Sequence, residues 1–80
     1  MHVAVEVSLY PLADGFIPPI LDFIDRLKAC PGLDVVTNSM STQVSGDYEL
    51  VFDALRAEIR TSLSGPQRAV LVMKVLGGAG

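Results

Sequence analysis

The sequence predicts a domain of the α+β class, with one antiparallel sheet and two helices packed on one of its faces. Four segments alternate apolar and polar residues with a period of two, which is typical of strands. Two segments between them repeat apolar residues with a helical period. The order is strand, helix, strand, strand, helix, strand. Because crossover connections are right-handed, this order predicts the split βαβ arrangement, the ferredoxin-like βαββαβ sandwich with a four-stranded sheet.

The first predicted strand opens the chain and ends at Pro11. Its aliphatic residues alternate with smaller or polar ones, so one face is predicted to lie against the helices. The residues predicted to face the helices are Val3, Val5, Val7 and Leu9. The residues between them, including Glu6, Ser8 and Tyr10, are therefore expected on the opposite face.

The first helix is predicted to begin at Ile17 and to end before Pro31-Gly32. Pro18 and Pro19 suit its first turn, where a missing backbone N–H costs little. Its apolar stripe has the spacing i, i+3, i+4, i+7 and i+10. The stripe consists of Ile17, Ile20, Leu21, Ile24 and Leu27.

Two short strands are predicted over residues 33–38 and 40–45, rich in valine and threonine. Only Asn38 and Ser39 separate them, which favours a hairpin. By alternation the inward residues of the second strand are Met40, Thr42 and Val44. The outward ones are Ser41, Gln43 and Ser45.

The second helix is predicted to begin at Tyr48 with Asp47 as its N-cap, and to end at residues 64–66. The last strand is predicted over residues 68–76. Residues 77–80 are predicted to form a flexible glycine-rich tail, and the whole chain, 1–80, is predicted to be a single domain. If its odd-numbered residues face the helices, the outward ones are Val70, Val72 and Lys74.

Two helices can cover only one side of such a sheet, so the other side is expected to be open. Its expected area is roughly 300 Å², and its predicted residues mix valine, alanine and tyrosine with one carboxylate, one ammonium and small hydroxyls. This mixture favours a contact surface that contains a ligand pocket. Glu6 and Lys74 could meet there as a cross-strand pair. The pair is either a surface ion pair, which would contribute under about 1 kcal/mol to stability, or two polar groups that hold a ligand in a partly dry cleft.

Composition excludes several classes of function. The net charge of −3, without a cluster of basic residues, argues against nucleic acid as a partner. The apolar runs are too short for a membrane span and no signal peptide is visible, so a soluble cytoplasmic protein is expected. One histidine, His2, and one cysteine, Cys30, build neither a catalytic triad nor a metal site. The chain is therefore predicted not to be an enzyme and to require no cofactor. Because half of its residues are hydrophobic in a small domain, self-association is also predicted.

Four segments resemble one known family over nearly the whole chain. They are residues 5–12 (VEVSLYPL), 17–27 (IPPILDFIDRL), 38–46 (NSMSTQVSG) and 72–74 (VMK). This pattern is similar to the thiamine/hydroxymethylpyrimidine-binding family. The resemblance implies a ferredoxin-like fold that associates through its sheets into dimers or tetramers. It also implies reversible binding of thiamine or its hydroxymethylpyrimidine precursor, without turnover.

An aminopyrimidine needs a flat surface to stack on, an acceptor for its exocyclic amine and a polar group for its ring nitrogens. Residues of these types lie on the predicted open face or at its rim, and Glu6 is the hardest to explain as structural. Tyr10 could instead pack at an edge, Ser8 and Ser41 could satisfy the sheet, and Asn38 could only form the turn. The predicted ligand-binding residues are Glu6, Ser8, Tyr10, Asn38, Ser41, Gln43 and Lys74.

Two other functions use the same fold. An ACT-like regulatory or assembly module would sense a different metabolite, such as an amino acid. RNA binding through the sheet is disfavoured by the acidic balance and by the lack of paired exposed aromatic residues on the predicted first and third strands.

Overall fold

The six secondary-structure elements follow the predicted order in the computed structural model, which describes residues 1–78. They are β1 (His2–Pro11), α1 (Ile17–Lys28), β2 (Asp34–Thr37), β3 (Thr42–Asp47), α2 (Tyr48–Leu63) and β4 (Ala69–Gly77). The strands form one antiparallel sheet in the order β2-β3-β1-β4. Both helices pack on the same face of this sheet, so the predicted ferredoxin-like fold is confirmed.

The hydrophobic core lies between the helices and the predicted inward face of β1. All four inward residues of that strand are buried, as the alternation predicts. In α1, by contrast, Ile17 and Leu21 are more than half exposed, and Phe23 is buried instead. The residues turned toward the sheet keep the spacing i, i+3, i+4 and i+7, but they start at Ile20. Ile20, Ile24 and Leu27 belong to both the predicted and the observed stripe, so α1 is rotated only slightly from the predicted orientation.

The connection between β2 and β3 is longer than predicted. The side-chain Oδ1 of Asn38 accepts hydrogen bonds from the backbone N–H groups of Met40 (2.8 Å) and Ser41 (3.0 Å). This Asx-type turn delays the start of β3 until Thr42. Met40 therefore lies in the loop and is 85% exposed, so its predicted inward orientation was wrong.

The residues of β4 lie on the two faces of the sheet as predicted, but the end of the strand and the cover of its helix side differ from the prediction. Gly77 belongs to the strand, whereas the sequence placed it in the tail, and residues 79–80 lie outside the described part of the chain. Met73 and Val75 lie opposite Val7 and Val5, on the helix side as predicted. They are nevertheless 40% and 50% exposed, and only Ala69 and Leu71 of this strand pack on the core. The helices therefore leave most of β4 uncovered.

The start of α2 is capped by Asp47, and its first turn lies against the loop that follows α1. Asp47 is the N-cap of α2, as predicted, because its Oδ2 accepts from the N–H of Glu49 at 3.2 Å. Gly32 has a φ of +82°, and a Cβ atom there would lie 2.6 Å from Cδ2 of Leu50. The positive φ favours glycine at this position, and any other side chain would also displace the end of the Leu50 side chain.

The two helices are held together by Arg26, whose contacts with α2 no pattern in the sequence indicates. Nη1 of Arg26 donates to Oε1 of Glu58 (2.8 Å) and to its backbone oxygen (3.1 Å), and Nη2 donates to Oγ of Ser62 (2.7 Å). Nε donates to Oδ2 of Asp22 on the same helix at 3.0 Å. The Arg26 side chain is only 23% exposed, so it fastens α1 to α2 in a partly dry environment.

Candidate functional site

The face of the sheet opposite the helices is open in the described part of the chain. Strand register fixes which side chains meet there, because directly opposite residues share a face. Glu6 lies between Gln43 on β3 and Lys74 on β4, and Ser8 lies opposite Val72. The open face therefore carries the residue types that the alternation placed on it.

A concavity of about 320 Å³ lies on this face, where the end of β1 meets the loop between β2 and β3. Its lining contains six of the seven predicted ligand-binding residues, together with Met40 and Val72. The lining residues are Glu6, Ser8, Tyr10, Asn38, Met40, Ser41, Val72 and Lys74. We call this concavity the open-face pocket.

Gln43, the seventh predicted residue, does not line the open-face pocket. It lies on β3 opposite Glu6, in a neighbouring depression that also contains Ala4, Glu6 and Lys74. Val72 was placed on this face by the alternation but was not predicted as a site residue. Met40 reaches the pocket only because the turn holds it outside β3, and no signal in the sequence indicated this.

Glu6 and Lys74 meet across β1 and β4, as the register requires. Their closest atoms, Oε1 and Nζ, are 3.9 Å apart, and both side chains are substantially exposed. At this length and exposure the ion pair contributes little to stability, on the order of 0–1 kcal/mol. The Glu6 carboxylate is therefore able to accept hydrogen bonds from a ligand.

Some polar groups at the loop end of the pocket stabilise the turn, and others are free to contact a ligand. The side-chain oxygen of Asn38 is committed to the turn, so its NH₂ group is the part that can donate to a ligand. Tyr10 is 52% exposed, and its flat ring also lines the pocket. Ser8 and Ser41 are half-buried and place small hydroxyl groups on the pocket wall. Together these residues offer stacking, donation and acceptance within one concavity.

A second cavity of about 320 Å³ lies on the helix side of the same loop. It is lined by Phe16 just before α1, by Ile20, Phe23 and Ile24 of α1, and by residues 7–11 and 37–42. It shares five lining residues with the open-face pocket: Ser8, Tyr10, Asn38, Met40 and Ser41. No charged side chain among the described residues lines it, and no pattern in the sequence predicts it. It provides no partner for a charged ligand group.

Residues 1–78 offer little further metal or thiol chemistry outside the two cavities. No group of three or more potential metal ligands among His, Cys, Asp and Glu is present in this range. Cys30 is half-buried, and its thiol donates to the backbone oxygen of Arg26 at 3.4 Å. Within the same range, neither helix has the length and apolar character required to cross a bilayer.

Comparison with known proteins gives one family and several structural neighbours. The model of the YKOF-related family matches residues 2–75. No curated protein matches the chain significantly. A hypothetical protein from Methanocaldococcus jannascii has a similar structure, with a TM-score of 0.80 and 28% identity, covering 94% of this chain and 78% of that one.

Two further structures share the fold at lower identity. A candidate thiamine biosynthesis/salvage protein from Thermotoga maritima is 22% identical, with a TM-score of 0.74 over 100% of this chain and 87% of that one. A domain of unknown function from Bacillus cereus is 14% identical, with a TM-score of 0.66 over 95% of this chain and 75% of that one. At these identities the likeness shows the fold alone.

Proposed function

The chain belongs to the YKOF-related family, whose model matches residues 2–75, and from this premise we propose that it binds thiamine or its hydroxymethylpyrimidine precursor without catalysing a reaction. The observation that carries the proposal is the open-face pocket, which combines a flat ring, a carboxylate and small polar groups. The name of the Thermotoga maritima neighbour, a candidate thiamine biosynthesis/salvage protein, supports the same ligand class.

The pocket residues fit the chemistry of an aminopyrimidine. In the proposed complex the carboxylate of Glu6 accepts from the exocyclic amine, and the NH₂ group of Asn38 donates to a ring nitrogen. The ring of Tyr10 stacks on the heterocycle. The cationic thiazolium of thiamine adds an attraction to Glu6 that the uncharged precursor lacks. No nucleophile or general base is assigned to the pocket in this proposal, and no bound cofactor is required.

We propose further that the protein acts as a homo-oligomer. Apolar side chains such as Val70, Val72 and Leu76 are about half exposed on the open face, and Met73 and Val75 are exposed on the other face of β4. We expect light scattering at micromolar protein concentration to give the mass of a dimer or a tetramer. A mass of 8.5 kDa, that of one chain, would contradict this expectation.

The role of Glu6 is tested by replacing Glu6 with glutamine, which keeps the shape of the side chain and removes its charge. We expect calorimetric titration to show thiamine binding to the unmodified protein and binding at least about tenfold weaker to Glu6→Gln. The expectation rests on the loss of a charge-assisted hydrogen bond.

Asp53→Asn is the matched control, because Asp53 also forms a long, exposed ion pair, with Arg56 at 4.0 Å, but lies on α2. It should leave the affinity unchanged. Absence of heat and of a thermal shift with thiamine, its phosphates and hydroxymethylpyrimidine would refute the proposed function. A response to an amino acid alone would favour the ACT-like alternative.

A further inference from the structure

A third cavity, of about 320 Å³, lies where the first turn of α1 and the last turn of α2 meet the helix side of the sheet. Its walls come from the end of β1, the loop that follows β1, Pro19, Ser62 and residues 65–69. It shares no lining residue with the open-face pocket. We call it the helix-end cavity.

Two oppositely charged side chains line the helix-end cavity. Asp14 supplies a carboxylate from the loop between β1 and α1, and Arg68 supplies a guanidinium from the position just before β4. The ion pairs within residues 1–78 all involve other groups, so these two side chains pair neither with each other nor with a third residue. Both charges are therefore available to a ligand that carries one positive and one negative group.

The backbone fixes the two chain segments that carry these charges. The N–H of Leu12 donates to the oxygen of Arg68 at 2.9 Å, which continues the pairing of β1 with β4 by one residue pair. The loop that contains Asp14 therefore starts directly beside residue 68. Pro11 and Pro66 lie in the same walls and restrict the backbone further. The two charged walls are thus held in place without a ligand.

The neutral part of the cavity adds a hydrogen-bond donor for an anionic group. Oγ of Ser62 accepts from Nη2 of Arg26 at 2.7 Å, so the hydroxyl hydrogen of Ser62 can be donated to a ligand. The first turn of α1 offers little to an anion, because Pro18 and Pro19 have no backbone N–H. Recognition of a carboxylate here therefore depends on Arg68 and Ser62.

The cavity also has an apolar surface. Leu9 is buried, Pro11 and Ala69 are half-buried, and Pro19 lies beside them in the lining. This surface suits a short aliphatic chain. The volume of about 320 Å³ is at the lower end of the range of small-molecule sites, about 300–1,000 Å³.

We propose that the helix-end cavity binds a small zwitterion, an α-amino acid with an aliphatic side chain. In the proposed complex Arg68 and the hydroxyl of Ser62 donate to the carboxylate, and Asp14 accepts from the ammonium group. The aliphatic side chain lies on Leu9 and Pro19. A purely cationic ligand would be repelled by Arg68 and a purely anionic one by Asp14, so the cavity favours a molecule that carries both charges.

Amide NMR spectroscopy with three probes tests the ligand class and locates the site. Leucine carries both charges, isoamylamine lacks the carboxylate, and isocaproate lacks the ammonium group. We expect leucine at millimolar concentration to shift the backbone amide signals of Gly15, Arg68 and Ala69. Each analogue should bind at least about tenfold more weakly, because it loses one charge-assisted contact.

Two charge-removing variants assign the contacts. Arg68→Gln should weaken leucine binding at least about tenfold and abolish the preference for leucine over isoamylamine. Asp14→Asn should abolish the preference for leucine over isocaproate. Arg60→Gln is the matched control, because Arg60 is an exposed arginine of α2 that does not line the cavity, and it should leave the affinity unchanged.

The proposal is overturned if leucine shifts none of these amide signals, or if it binds no better than either analogue. Shifts centred on Ser8 and Ser41 would place the amino acid in the open-face pocket and would overturn it as well. None of these measurements uses thiamine, and the two sites share no lining residue. The amino-acid site and the proposed function can therefore fail separately.

Discussion

Replacing Leu27 with alanine is expected to lower the free energy of unfolding by about 2–5 kcal/mol. Leu27 is 0% exposed and packs in the core between α1 and the sheet. The substitution removes buried apolar area and leaves a cavity that the surrounding side chains fill only in part. A chain of 80 residues has a total stability of about 0.05–0.15 kcal/mol per residue, so a loss of this size removes a large share of it. Urea denaturation followed by circular dichroism measures the effect.

Leu21→Ala is the matched control on the same helix. Leu21 is more than half exposed, so the same chemical change should cost less than about 1 kcal/mol. The sequence alone predicts equal burial for the two leucines, because both belong to the predicted stripe. Similar destabilisation by the two substitutions would contradict the observed orientation of α1.

Replacing Arg26 with methionine is expected to destabilise the protein by about 1–3 kcal/mol. Methionine keeps part of the apolar stem, so the change removes mainly the guanidinium bonds to Glu58 and Ser62. The Glu58 carboxylate is only 20% exposed and loses its closest cationic partner. The same denaturation experiment measures the change.

Arg56→Met is the corresponding control. Arg56 lies on α2 with an exposed side chain, and its contact with Asp53 is long, at 4.0 Å. Its replacement should change stability by no more than about 0.5 kcal/mol. If both arginine variants lost the same stability, the Arg26 bonds between the helices would not contribute as inferred.

Much of the fold was predictable because its signals are local. The alternation in β1 and the N-cap at Asp47 are confirmed in the structure. The errors arise where tertiary contacts determine which way a residue points. Phe23 is turned into the core by a small rotation of α1, and Met40 is kept out of β3 by two hydrogen bonds to Asn38. Neither interaction leaves a periodic pattern in the sequence.

The candidate site could be predicted in part for the same reason. Alternation placed Glu6, Ser8 and Tyr10 on the open face, and the ferredoxin-like topology placed Lys74 beside Glu6. The position of Gln43 outside the pocket could not be predicted, because it depends on how far β3 extends along β1. The uncovered helix side of β4 was also missed, since the sequence does not specify where a helix lies across a sheet.

A crystal structure of the protein with thiamine tests the central claim most directly. We predict that the aminopyrimidine ring lies on the open face of the sheet, against Tyr10 and within hydrogen-bond distance of Glu6. A ligand seated in the helix-side cavity lined by Phe16 and Phe23, or helices of a second copy filling the open-face pocket, would contradict it.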